Sequence, residues 1–268
     1  MAIDQHSAGA VERRPSYGGV EDGSKVIPGT TFAQDDQLNV EASPPQTTTS
    51  PTTQTGPPVN STPTIATLYT PTQIASDPAL VASLHTLINH AFSFSHEKHG
   101  AMPGTIDRLQ SPQQLLSELG SDDSATFTYV LTSASSGQVL ATAGGQRWTG
   151  KIAPVEPLPG NKGSFTRYGA ESEDADQWEL RIMAVDPSLQ RQGLAAWLMR
   201  KVEEEIRRRW EERGGKKGLV LLLTTLKEIN GEFYARRGYA VDYETRFPPG
   251  WLQSEKGFGV VHMSRRVV

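Results

Sequence analysis

The sequence predicts an α/β protein: one mixed central sheet of about six or seven strands, flanked by about four helices, behind a disordered N-terminal tail. Three observations predict it. Residues 1–63 are crowded with Gly, Pro, Ser, Thr and Gln, including S-P-P-Q-T-T-T-S-P-T-T-Q-T-G-P-P. The run L-V-L-L-L-T-T-L, from Leu219, is continuously apolar, as a strand covered on both faces requires. Between W-E-L-R-I-M-A-V and that run lies a long amphipathic stretch opened by Gly193, which makes a strand, helix, strand unit with parallel strands.

The tail buries too little apolar surface to offset roughly 1–2 kcal/mol of backbone entropy per ordered residue. Seven acids against three bases precede Thr64, so the net charge of −4 belongs to this segment and the domain expected over 64–268 is neutral. No domain-wide attraction for nucleic acid or an anionic membrane follows. The chain has no cysteine, which excludes disulfides, thiolate nucleophiles and Cys-based zinc sites. The start lacks a basic segment followed by an apolar one, and no run of about 20 apolar residues could span a bilayer. The expected location is the cytoplasm, with the nucleus left open.

Within the domain, Ile65 to Tyr69 reads as a strand. Ser76 or Asp77 with Pro78 then starts a helix carrying Leu80, Leu84, Leu87, Ile88 and Ala91 at helical spacing. Ser111 caps a short helix that Gly120 stops. Thr126 to Thr132 and Gln138 to Gln146 form a hairpin, and a loop is expected from about Thr149 to Asp176. A strand at W-E-L-R-I-M-A-V, a helix from Gly193 to Arg213 and the apolar strand follow. A short helix from Asn230 to Arg237 and two closing strands, Tyr239 to Phe247 and Gly257 to Arg265, complete the order.

V-D-P-S-L-Q-R-Q-G-L-A-A-W offers a strand end, a turn and a glycine at a helix start, where about half a unit of positive charge and unpaired N–H groups can hold a phosphate. Neither G-x-x-x-x-G-K-[ST] nor G-x-G-x-x-G is present, so nucleotide loops of those kinds are excluded. The alternative is that Gly193 only lets the helix pack closely. Gln190-x-x-Gly193-x-Ala195, the preceding Val-Asp-Pro, and F-Y-A-R-R-G-Y further on together resemble the GCN5-related N-acetyltransferase (GNAT) superfamily, as does the closing H-M-S-R. The likeness runs through Thr64 to Val268 in element order, and through Trp178 to Tyr239 in motif.

The resemblance implies a GNAT-like acyl-CoA fold and acetyl transfer from acetyl-CoA, as co-substrate, to a primary amine in a ternary complex. A small amine or amino-sugar is the first choice of acceptor and a protein lysine the second. It further implies that backbone groups of Met183, Ala184 and Val185 bind the pantetheine and thioester, where parallel strands splay. The loop of Gln190, Arg191, Gln192, Gly193, Leu194 and Ala195 would bind the pyrophosphate. By the same resemblance Glu179 is the general base and Tyr234 returns a proton to the thiolate. Asn230 is a cofactor contact or a helix cap, since it stands four residues before Tyr234 rather than the usual seven.

On the alternation of a strand, Glu179 shares a face with Arg181 and Met183. The bland alternative is a Glu179–Arg181 pair on a solvated face, with water or another carboxylate as base. His90, His96 and His99 are read as a solvated loop, and no metal is expected. Glu171, Glu173, Asp174 and Asp176 form an acidic run that could attract a cation. The charge blocks of R-K-V-E-E-E-I-R-R-R-W-E-E-R read as an exposed helix face. A non-catalytic acyl-CoA-binding module is the competing function, and a homodimer stays open.

Overall fold

The apolar run becomes β7 (Gly218–Leu226), whose residues Leu219 to Leu223 are all buried. Its sequence neighbour upstream, β6 (Ala175–Val185), lies parallel to it, with Trp178 opposite Leu221 and Glu179 opposite Leu222. The intervening helix is α4 (Leu194–Glu212). The computed structural model describes residues 50–100, 107–148, 164–167 and 175–268. The tail assignment for residues 1–49, and Glu171, Glu173 and Asp174 of the acidic run, lie outside the described residues.

The remaining elements are β1 (Thr52–Thr55), β2 (Thr64–Tyr69), α1 (Pro71–Ala75), α2 (Pro78–His99), α3 (Pro112–Leu119), β3 (Thr126–Ser133), β4 (Val139–Trp148), β5 (Ser164–Arg167), α5 (Glu232–Ala235), β8 (Ala240–Phe247) and β9 (Phe258–Arg266). Among the described residues the strands form one nine-stranded sheet in the order β1-β2-β3-β4-β6-β7-β9-β8-β5. Two of these strands are additions to the expected set. β1 pairs antiparallel with β2 from within the Pro/Thr-rich stretch, so residues 50–63 are not the structureless tail that their composition suggests. β5 pairs with β8 inside the expected loop. Neither strand has the apolar alternation that marks a half-buried strand.

Two layers cover the sheet. On one face α4 packs with Leu194, Leu198, Val202 and Ile206 against Trp178, Leu180, Leu221 and Leu223. On the other, α2 and α3 bring Leu84, Leu87, Ile88 and Leu115 against Val130, Ile182 and Ala184. Asp77 caps α2, its side chain accepting from the Leu80 N–H at 3.0 Å, and Gly100 ends it in a left-handed conformation. Helix α2 therefore runs on through His90, His96 and His99, which corrects the reading of a solvated loop. His96 is buried with its ring tilted against Phe92, 3.8 Å between centroids, and burial pushes its pKa down to about 4. Ser111 caps α3, accepting from the Gln114 N–H, and Gly120 closes it.

The charge blocks of α4 are less exposed than their pattern suggests. Glu205 is buried and accepts from the guanidinium groups of Arg208 and Arg209 at 2.6–2.8 Å. These hydrogen bonds outweigh desolvation and hold its carboxyl below the usual range. Arg209 also lies 4.6 Å over the Phe127 ring, which ties the helix to β3.

Candidate active site

The parallel ladder stops early. β6 and β7 pair from Ala175–Gly218 to Glu179–Leu222, after which, among the described residues, β6 continues to Val185 and β7 to Leu226 with no further pairing between them. β4 and β9 still bind the outer edges of the two strands. A cleft therefore opens in the middle of the sheet, bordered by residues 180–185 and 223–226.

A bulge shapes one wall of the cleft. On β4, Thr142 pairs with Ala184 and Gly144 with Arg181, so Ile182 and Met183 together face Ala143. Ile182 takes φ +51, a conformation that costs a β-branched residue about 1–3 kcal/mol. The extra residue reverses the side-chain alternation. Trp178 and Leu180 point to the α4 face before the bulge, Ile182 and Ala184 to the α2 face within it, and Met183 and Val185 back to the α4 face. Glu179 and Arg181 consequently lie on the α2 face and Met183 on the other. This corrects the expectation that Glu179 and Met183 share a face: simple alternation holds only where no residue is inserted.

On the α2 face Glu179 sits 3.4 Å from the Arg181 guanidinium, and one fifth of its side-chain surface stays accessible. Burial raises its pKa above the ordinary glutamate range; Arg181 and Arg108 pull it down and Glu118 adds to the rise. The pair is real but is not a solvated strand face. Arg181 also donates to Gln146, opposite Glu179 on β4. Asp176, at the start of β6, is held by Arg147 at 2.9 Å.

On the α4 face Tyr234 is buried in α5, its hydroxyl donating to Sδ of Met183 at 3.8 Å. Burial, with Tyr239 adding to it, pushes the phenol pKa well above its usual 10. The group is a protonated donor across the physiological range. The predicted residues Glu179 and Tyr234 thus approach the cleft from opposite faces of the sheet.

After β6, Asp186 accepts from the N–H and hydroxyl of Ser188 and fixes a turn of 3-10 helix over Pro187–Leu189. Gln190 is extended, Arg191 is left-handed at φ +66, and Gly193 at φ +83 is the N-cap of α4. No side chain caps this end and its first turn holds no acid. Arg191, Gln192 and Gly193 are exposed, whereas Leu194 is buried and anchors the helix in the core. A Cβ built on Gly193 would meet nothing within 4 Å. Close helix packing is therefore not the reason for this glycine, and only its left-handed backbone is. The helix end is open to an approaching anion.

Asn230 lies in a turn of π-helix over Lys227–Gly231, between β7 and α5. Its amide donates to the Thr225 hydroxyl at 3.3 Å, and no side-chain cap forms at either helix start there, so the capping alternative is corrected. Ala184 is buried and Val185 partly so, and both pair with β4 rather than β7. No group of three or more His, Cys, Asp or Glu that could hold a metal is found among the described residues. No helix among them is long and apolar enough to cross a membrane. The bulge at Ile182 left no trace in residue type, because isoleucine is the last residue one would assign to a positive φ.

Residues 161–241 match the family described as Acetyltransferase (GNAT) domain. Among curated proteins none matches the sequence. Similar solved structures include the GNAT domain of PAT from S. lividans, at 13% identity over 80% of this chain and 97% of that one, with a TM-score of 0.47. The ribosomal-protein-S18-alanine N-acetyltransferase of Escherichia coli is 16% identical over 75% of this chain and 94% of that one, with a TM-score of 0.43. An aminoglycoside 6'-N-acetyltransferase in complex with coenzyme A is 13% identical over 72% and 93%, also at 0.43.

Proposed function

From the match of residues 161–241 to the acetyltransferase (GNAT) domain family we propose that this chain is a GCN5-related N-acetyltransferase, which moves an acetyl group from the thioester of acetyl-CoA directly to a primary amine. The observation that carries the proposal is the cleft between β6 and β7, which ends beside an uncapped helix N-terminus and has a titratable group on each side.

The unpaired N–H groups at the start of α4 and the left-handed Arg191 and Gly193 suit a pyrophosphate, and the space in front of Gly193 admits it. Acetyl-CoA bound there supplies the activated acyl group and the thiolate leaving group. The inner edge of β6 beyond Glu179 offers backbone groups to the pantetheine and to the thioester oxygen. Preorganised N–H donors of this kind contribute roughly 3 kcal/mol to a transition state. Tyr234 donates its proton to the departing sulfur from the α4 face. Glu179, from the α2 face, takes a proton from the acceptor, whose free alkylammonium form has a pKa near ~10.4. Its raised pKa brings the carboxylate closer to the operating pH, where a base is most effective.

A small amine or amino-sugar is the proposed acceptor, ahead of a protein lysine. Incubation with acetyl-CoA and an amine panel, with free thiol measured, tests the proposal. Thiol release that exceeds hydrolysis only when an amine is present supports it, and release no faster than hydrolysis with every amine overturns it. Turnover that survives both Tyr234→Phe and Glu179→Gln unchanged, with CoA affinity retained, removes these two residues from the reaction.

A further inference from the structure

On the α2 face of the sheet, beyond Glu179, the register brings two polar side chains together that none of the steps above uses. Thr224 of β7 is paired with His262 of β9, and His262 with Tyr243 of β8. Their neighbours in the same strands, Leu221, Leu223, Val261 and Met263, are in the core under α4, so Thr224 and His262 point to the opposite face, where Glu179 lies. Thr224 is two residues past the last β6–β7 pair and is exposed at the cleft. Its Cα is one strand across (about 4.8 Å) and two residues along (about 6.7 Å) from that of Glu179, a separation that one acceptor amine can bridge.

The two side chains are joined by a hydrogen bond of 2.8 Å between Thr224 Oγ1 and His262 Nδ1. The ring stands edge-on to Tyr243 at 6.2 Å, and its Nε2 is buried without a hydrogen-bond partner among the described residues. Burial alone lowers the imidazole pKa, so the ring is neutral at pH 7. With the ring proton on Nε2, Nδ1 accepts from the threonine hydroxyl, whose oxygen keeps a lone pair for a donor in the cleft.

Proton accounting explains what such a pair can do. An alkylammonium must lose two protons on the way to an amide, and the whole reaction returns one to the thiol and releases one. We propose that Thr224 and His262 form a relay that receives the second of these protons, resting on the acetyl-transfer reading above. Glu179 takes the first proton and leaves the free amine. As the N–C bond forms and the C–S bond breaks, the nitrogen gives its surplus proton to Thr224 Oγ1, which passes its own to His262 Nδ1. Tyr234 protonates the thiolate and recovers a proton from solvent, and Glu179 gives up to solvent the proton that it took. With the relay's proton, each cycle thus leaves one on the thiol and one net in water. The imidazolium has no acidic partner to hold it among the described residues and returns the proton to solvent before the next cycle. Thr224 touches the acceptor; His262 acts through it.

The test compares T224V, T224S, H262F and the T224V/H262F double variant in steady-state assays with acetyl-CoA and the best amine of the panel. The expected result is a loss of about 10–100-fold in kcat for T224V and for H262F, with KM for acetyl-CoA unmoved. T224S recovers most of the rate lost in T224V, and the double variant is no slower than either single one. Wild-type rate in T224V overturns the relay, as does T224S being as slow as T224V, since packing rather than the hydroxyl would then be responsible. Thr224 is exposed, so T224V reports even where H262F does not fold. An active wild type with an unaffected T224V removes the relay alone, whereas a wild type that releases no thiol removes the acetyl-transfer reading with it.

Discussion

The hydroxyl of Tyr234 rests 3.8 Å from the sulfur of Met183, and Met183 points toward it only because Ile182 is inserted into β6. A thioether is a weak acceptor, so the phenol proton is held loosely at rest and is free for a stronger acceptor such as a thiolate. Tyr234→Phe is therefore expected to lower kcat by about 100-fold with KM for acetyl-CoA nearly unchanged. The fold is expected to persist, because the ring keeps its edge-to-face contacts with Phe233 and Tyr239. Pre-steady-state and steady-state thiol release measure it; an equal loss in affinity and rate would make Tyr234 a packing residue only.

The same raised phenol pKa has a consequence for alkaline pH. Because the folded group ionises well above 10, the kcat profile should show no fall due to Tyr234 up to pH 10. A wild-type decline centred near pH 8 or 9 that disappears in Tyr234→Phe would contradict the assignment of a buried, protonated donor.

Gly193 separates binding from stability. A side chain here meets open space but must accept φ +83, which costs roughly 1–2 kcal/mol for a residue other than glycine. Gly193→Ala should lower unfolding stability in urea by about that amount, without the larger penalty of a clash. Gly193→Glu adds a negative charge at the uncapped end of α4 and should raise KM for acetyl-CoA at least tenfold while leaving KM for the amine within about twofold. Equal rises in both constants would place the pyrophosphate elsewhere.

Most of the fold was legible because long-range order here follows local signals: proline after Asp77, serine before Pro112, glycine at 120 and 193, and an apolar run only a buried strand tolerates. The turn into α4 was legible for the same reason, since Gly193 announces the left-handed backbone at the helix start. What escaped was non-local. β1 and β5 are strands only because β2 and β8 offer free edges to pair with, and their own residues carry little pattern. The bulge at Ile182 depends on β4 being one residue short over that span, a fact of register rather than of either sequence alone. The Thr224–His262 pair joins residues 38 positions apart that only the β7–β9 ladder brings into contact.

Ile182 gives the bulge a direct energetic signature. Glycine in a strand normally costs about 0.5–1 kcal/mol more than alanine, and the left-handed backbone reverses that by roughly 1–2 kcal/mol. Both Ile182→Ala and Ile182→Gly lose a buried side chain packed against the α2 layer and should destabilise the protein by about 2–5 kcal/mol. Between them, however, the glycine variant should be equal or more stable, an inversion that chemical denaturation of the two variants resolves. The usual order, alanine above glycine by a full kcal/mol, would mean that residue 182 does not sit in a left-handed bulge.

Glu179 ties the chemistry to pH. Burial raises its folded pKa above the unfolded value of about 4.5, so over that interval the folded state binds more protons than the unfolded one and its stability falls as pH rises. The carboxylate that the proposed proton removal requires is therefore formed at a stability cost, and only above the raised pKa. Two measurements follow from one sign. In kcat/KM for the amine, the acidic limb assigned to Glu179 should lie above pH 4.5 and vanish in Glu179→Gln, whose residual rate becomes independent of that ionisation. Over the same interval, the Tm of the wild type relative to Glu179→Gln should decrease with rising pH, because only the wild type has a carboxyl to ionise at that site. An acidic limb that persists unchanged in the glutamine variant would assign it to another group and remove Glu179 as the base, while leaving its ion pair with Arg181 as a structural feature of β6.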